Sequence, residues 1–193
     1  MPYRTPDGPG PTPHRTVVVG GLTLPELLLE LERNAVSTNE AGRQLLASDR
    51  LVLPAQPLAV ETVELSVEQL GFPHGAPYAA VVERATELGL KPCPLALAPF
   101  LRLQHLRQPE GARGEPDRRN RAPAGALTVA SEWRAEDEAA PRGFYLRRIQ
   151  GVLWLRGYRA SSDHVWDAED RLVFAAAESP APPPPCRRSG GGA

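Results

Sequence analysis

Every cation in this sequence except Lys91 is an arginine, and the formal net charge is only -1. A chain so balanced has no overall field to draw it onto nucleic acid or an anionic membrane, so either interaction would need a local patch. The lysine shortage accompanies an excess of Ala, Gly and Pro, a bias of GC-rich coding rather than a sign of guanidinium chemistry. Cysteine is equally scarce. Cys93, set between two prolines, and Cys186, near the C-terminus, are too few for a disulfide framework or a zinc site of ordinary spacing. They fit a reducing, cytoplasmic compartment. No apolar run approaches the roughly 18 residues of a membrane span. The stretch from 17 to 29 is broken by Pro25 and Glu26 and followed by Glu30 and Glu32, so it is not read as a signal peptide.

Several catalytic and binding motifs are also missing. There is no GxxxxGK[ST] phosphate loop, no G-x-S-x-G nucleophile turn and no calcium-loop pattern. No cofactor and no metal is expected. Aromatic residues make up 6%, and all three tryptophans, Trp133, Trp154 and Trp166, fall in the C-terminal third.

What the chain does contain is a globular balance of 41% hydrophobic and 23% charged residues, interrupted by 22 prolines and 17 glycines. These breakers concentrate at the ends and in one internal stretch. Residues 1 to 20 and 178 to 193 offer little to bury and read as disordered tails, with the second rich in Pro and Gly. That leaves one domain over 21 to 177, with a flexible Arg-rich loop at about 107 to 125. A chain of residues 21 to 177 is therefore expected to unfold like the whole.

Within that span, Thr23 and Glu26 have capping-box spacing ahead of Leu27, Leu28 and Leu31, which predicts a helix over 24 to 34. Ser37 and Glu40 repeat the spacing and predict a second helix to about 48, giving an N-terminal helical hairpin. Val63, Leu65 and Val67 alternate with polar residues as a central strand. After the turn at 72 to 75, Pro77, Tyr78, Val81, Val82, Ala85 and Leu88 trace a helix that Gly89 ends, with both valines expected in the core. Leu127, Val129 and Trp133 alternate as a strand. The runs 144 to 147 and 152 to 158 pair as a hairpin about Ile149-Gln150-Gly151, and Leu172 to Phe174 supply a closing strand. The fold class read from this pattern is α+β: the helical hairpin, the central strand and capped helix, and a C-terminal antiparallel β-sheet.

The block VELSVEQLGFPHGAPYAAVVERATELGLKPCPLALAPFLRLQ, followed by FYLRRIQGVLWLRGY and HVWDAEDRLVFA, resembles a family of small bacterial proteins of unknown function. The resemblance covers about residues 24 to 176 and is most specific from Leu70 to Leu103. It implies that the central and C-terminal blocks form one unit, and it brings no catalytic residues. A helicase-like label borne by members has no counterpart here, since neither the phosphate loop nor the length of a motor core is present.

The chemistry-bearing residues gather on the second strand of the expected hairpin. Trp154, Arg156 and Tyr158 share one face, joined by Trp166 and by Arg118, Arg119 and Arg121 of the internal loop. Aromatic faces stack on rings while guanidinium groups neutralise anions, so this set suits a ligand-binding surface. The competing reading is that Trp and Tyr fill the core with only a polar tip in water. Asp163 and His164 contain the groups for acid–base work, and Cys93 with His74 or His105 those for a thiol nucleophile. Against these, neighbouring side chains on a turn diverge, and a cysteine between prolines is ordinarily a small buried hydrophobe. The sequence thus points to a non-catalytic binding or interaction module. The partner would be a protein or small molecule, with nucleic acid less favoured and no membrane; the alternative is a small hydrolase-like enzyme using His164 or Cys93.

Overall fold

A computed structural model describes residues 13 to 111, 123, 125 to 133 and 140 to 177. Residues 1 to 12 of the expected N-terminal tail (1 to 20), the expected tail at 178 to 193 and most of the Arg-rich loop lie outside the described residues. The elements in chain order are β1 His14–Val19, α1 Leu24–Arg33, β2 Val36–Thr38, α2 Glu40–Leu46, β3 Leu58–Ser66, β4 Ala76–Pro77, α3 Tyr78–Glu87, β5 Leu90–Lys91, α4 Leu97–Gln104, β6 Leu127–Val129, β7 Gly143–Ile149, β8 Val152–Tyr158, β9 Val165–Trp166 and β10 Arg171–Ala176.

One eight-stranded sheet organises them, in the order β1-β3-β10-β6-β7-β8-β2, with β5 pairing on β10; β4 and β9 form a separate two-stranded sheet. This corrects the expected division into an N-terminal helical hairpin, a central unit and a C-terminal sheet. The supposed hairpin is interrupted by β2, which runs parallel to β8 through Val36↔Leu153, Ser37↔Trp154 and Thr38↔Leu155. β10 is no closing strand but lies between β3 and β6, antiparallel to the first and parallel to the second. The result is a mixed, strand-dominated architecture in which strands from both ends of the chain share one sheet.

The N-terminal boundary is corrected as well. His14–Val19 falls within the expected tail, yet it pairs antiparallel with β3 over six residues and buries Val17 and Val19. Its alternation (Arg15, Val17, Val19 inward) is that of a half-buried strand. Gln104 at the end of α4 covers the outer edge of this strand. Its side-chain amide donates to the Val18 carbonyl at 2.8 Å and accepts from the Val18 N–H at 3.0 Å, as a neighbouring strand would.

Two apolar clusters flank the sheet. On one face α1, α2 and α4 place Leu27, Leu31, Leu45, Leu97 and Leu101 against Val129, Phe144, Leu146, Leu155 and Val173. On the other, α3 places Tyr78, Val81 and Ala85 against Val63, Leu65, Leu172 and Phe174. Val81 is fully buried while Val82 is half-buried at the margin of the cluster, so of the two expected core valines only the first faces the core centre.

Helix starts follow the sequence in part. The Thr23 backbone N–H and hydroxyl both donate to the Glu26 carboxylate, as the capping-box spacing predicts. The second helix is capped not from Ser37 but from Asn39, whose side-chain oxygen accepts from the Gly42 N–H at 2.9 Å. Ser37 is instead a strand residue. Ala35 makes the turn between α1 and β2 at φ 51°, a left-handed conformation that costs an alanine roughly 1–2 kcal/mol.

Where β1 meets the end of α4, the Arg15 guanidinium donates to His105 Nδ1 at 2.7 Å. Burial, with Arg15 and Arg102 beside it, pulls the His105 pKa from its usual 6.5 down to about 4. Between these values the unfolded chain takes up a proton that the folded chain refuses, so stability falls as pH drops from about 6.5 to about 4 and then levels in this respect. Urea denaturation across that window is expected to show a shallower acid loss in His105→Gln than in the wild type; parallel curves would refute the assignment.

Candidate ligand-binding face

The two-residue turn at Gln150 and Gly151 fixes the register of β7 against β8, with Ile149 opposite Val152 and Tyr145 opposite Arg156. A one-residue shift would exchange the two faces of the hairpin. In the observed register Phe144, Leu146 and Leu155 enter the core beneath α2 and α4, and Tyr145, Arg147, Trp154 and Arg156 share the opposite face. α3 covers that face only at its β3 and β10 end.

Here Arg156 lies between two rings. Its guanidinium carbon is 5.2 Å from the Trp154 ring centroid and 5.9 Å from that of Tyr145, and all three residues are half-buried. Such contacts stabilise the cation by roughly 0.5–1 kcal/mol at exposed sites and more when desolvated. Its Nε is buried and has no hydrogen-bond partner among the described residues. Among the described residues no carboxylate pairs with Arg156. The arrangement is a cation beside two rings whose charge is paired with no carboxylate among the described residues, the chemistry needed to hold an anionic group beside a planar surface.

The sequence places Tyr158 and Trp166 on the same surface; in the structure Trp166 is core, while Tyr158 keeps the side of Trp154 and Arg156 and packs at its end against the α3 cluster. Trp166 is 3% exposed and belongs to the α3 cluster. Tyr158 meets it edge-on at 5.6 Å, Tyr78 stacks on Trp133 at 4.2 Å, and Arg142 lies over Trp133. Burial pushes the Tyr158 phenol up to about 12, so these rings are packing. The turn before α3 makes room for them: Gly75 has φ 83°, and a Cβ there would stand 2.4 Å from the Trp166 carbonyl oxygen. Arg118, Arg119 and Arg121 lie outside the described residues. Tyr145 was missed because its place beside Arg156 depends on register, although the two-residue turn was a legible signal for it.

The proposed catalytic groups are dispersed. Cys93 is buried, its thiol donates to the Val173 carbonyl at 3.4 Å, and burial raises its pKa far above the usual thiol range, which disfavours the nucleophilic thiolate. His105 Nδ1 is engaged by Arg15, and His74 is exposed in a turn. His164 meets Trp166 edge-on at 5.3 Å, with its pKa lowered chiefly by burial. The neighbouring exposed Asp163 is held below the usual carboxylate range by a hydrogen bond from Ser161. Among the described residues no three His, Cys, Asp or Glu side chains are placed to hold a metal, and no helix is long and apolar enough to cross a membrane.

No family model, curated protein or solved structure matches this chain.

Proposed function

We propose that the chain is a non-catalytic binding module of the cytoplasm whose β7–β8 face receives an anionic group of a partner. The observation that carries this reading is the Tyr145–Arg156–Trp154 stack, a half-exposed guanidinium oriented by two rings and paired with no carboxylate among the described residues. A purely structural arginine would ordinarily point into solvent or toward an acidic neighbour. With a net charge of -1 and no basic field, a protein segment or small acid suits the face better than a polynucleotide. Membership of the bacterial family suggested by the central and C-terminal blocks is part of the same proposal. It is supported by the joining of those blocks in one sheet through β3, β5, β7, β8 and β10.

Calorimetric titration at low salt tests the reading with two probes, an acidic peptide and a single-stranded oligonucleotide. The acidic peptide is expected to bind. Arg156→Ala should weaken it by roughly 1.5–3 kcal/mol, the contribution of a hydrogen bond to a charged group, while lowering the melting temperature by only a few degrees through the lost ring contacts. Binding of neither probe, or equal binding by the variant, would defeat the reading; a preference for the oligonucleotide would reverse the partner class.

A further inference from the structure

Successive residues of β7 turn to opposite faces of the sheet. Arg147 lies on the side of Trp154 and Arg156, and Arg148 on the other, with Phe144 and Leu146 beneath α4. There it stands near the C-terminal end of α4, where three further basic groups meet. Arg102, from the last turn of that helix, is fully buried. Its guanidinium donates to Gln108 Oε1 at 2.5 Å and to the His105 carbonyl. His105 follows the helix and accepts at Nδ1 from Arg15 of β1 at 2.7 Å. Burial, and after it the charge of Arg148, pulls the Arg102 pKa down to about 10, while Arg15 and Arg102 both disfavour the charged form of His105. The four groups thus form one row, Arg15, His105, Arg102 and Arg148, drawn from β1, β7 and the end of α4.

Among the described residues this row has no negative partner. No carboxylate pairs with any of its three arginines, and the two oxygens that accept from Arg102 belong to a neutral amide and a backbone carbonyl. The Nε of Arg15, of Arg102 and of Arg148 is in each case buried with no hydrogen-bond partner. An arginine cannot relieve such crowding by giving up its proton, as a histidine does. The C-terminal end of α4 offsets only roughly half an elementary charge. Three guanidinium groups held together without compensation are costly, and a bound anion removes that cost.

The shape and charge of the anion follow from the set. A carboxylate has two coplanar oxygens and one charge, which a single guanidinium matches. Three guanidinium groups, with the Nε2–H that a neutral His105 keeps when its Nδ1 accepts, suit a tetrahedral dianion instead. Arg15, His105 and Arg148 are half-buried, so the row is reached from solvent along these members, with buried Arg102 behind them.

We propose that Arg15, Arg102, His105 and Arg148 form an oxyanion site for a phosphate group, carried either by inorganic phosphate or by a small phosphomonoester. The site lies on the opposite face of the sheet from the Tyr145–Arg156–Trp154 stack and stands independently of the function proposed for that stack.

Thermal unfolding of the full-length protein tests this, titrated with inorganic phosphate while chloride is lowered to hold the ionic strength constant. The melting temperature is expected to rise and to level off as one site fills. Arg148→Gln removes a half-buried side chain that has no hydrogen bond among the described residues, so it should fold and bind phosphate at least tenfold more weakly. Arg156→Ala should respond to phosphate as the wild type does. A second measurement needs no variant: with phosphate bound, an NMR titration should place the His105 pKa above its value of about 4 in the free protein, since a neighbouring dianion favours the imidazolium. Glycerol 3-phosphate in place of phosphate separates the two sources. Binding at least tenfold tighter than that of inorganic phosphate assigns the site to phosphomonoesters, and anything weaker assigns it to phosphate itself. No stabilisation beyond that of chloride, an unmoved His105, or a phosphate response that Arg148→Gln keeps and Arg156→Ala loses would overturn the proposal.

Discussion

A chain starting at residue 21 is expected to lose its cooperative fold. Its first consequence would be the loss of β1, which pairs with β3 over six residues and buries Val17 and Val19 at 1% exposure each. Burying one valine stabilises a protein by roughly 1.5–3 kcal/mol, so the two together approach a typical total stability of about 5–15 kcal/mol. The truncation would also expose the edge of β3, strand Gln104 without Val18, and leave His105 without Arg15. Thermal denaturation of the truncated and full chains checks this directly. A melting temperature within a few degrees of the full chain would restore the sequence-based expectation that residues 1 to 20 are dispensable.

Gly157→Ala should be nearly as damaging. Helix α2 lies so close to β8 that a Cβ at position 157 would stand 2.4 Å from the Ala41 carbonyl carbon and 2.6 Å from its oxygen and from the Gly42 nitrogen. These are backbone atoms, so relief requires the helix to move. That movement would break the pairing by which Asn39 donates to the Gly157 carbonyl at 2.9 Å and accepts from its N–H at 2.8 Å. Overpacking costs about 1–3 kcal/mol and each of the two lost hydrogen bonds about 0.5–1.5 kcal/mol, which together give a loss of about 2–6 kcal/mol. Urea denaturation should show it as a lower midpoint at an unchanged slope. Asn39→Ala, which loses the bonds without the clash, should fall between the variant and the wild type; wild-type stability in Gly157→Ala would mean that α2 does not rest on β8.

Both effects concern contacts between residues about forty or more positions apart, and this marks where the sequence stops being legible. Local signals are legible where the deciding interaction spans a few residues, as at the Thr23–Glu26 cap and the end of α3 at Gly89; the hairpin read about Ile149-Gln150-Gly151 turns at Gln150-Gly151, with Ile149 still in β7 opposite Val152. Ser37 fell on the wrong side of that limit. Its spacing to Glu40 is that of a capping box, but pairing with Trp154 holds it extended and leaves the cap to Asn39. Residues 13 to 20 were misjudged for the same reason. A proline-rich approach and a short valine run have little to bury by themselves, and become a strand because β3 and Gln104 wait for them.

The candidate face shows the same division. Alternation along 152 to 158 placed Trp154 and Arg156 on one side of a strand, since successive side chains must oppose each other. Whether that side was core or surface could not follow from period two, because either face of a strand can be the buried one. Only the packing of α3 over β3 and β10 decided that Trp166 belongs to a core while Trp154 and Arg156 stay half-buried, with Tyr158 on their side of the strand at the margin of that core. By itself, then, the sequence determined the Thr23 cap, the end of α3 and the strand alternations, which are fixed by bonding within a few residues of chain. Strand order, the identity of the sheet's edges and the exposure of the Arg156 stack were decided by tertiary structure, because each depends on which distant segments compete to cover the same apolar surface and the same row of backbone hydrogen-bonding groups.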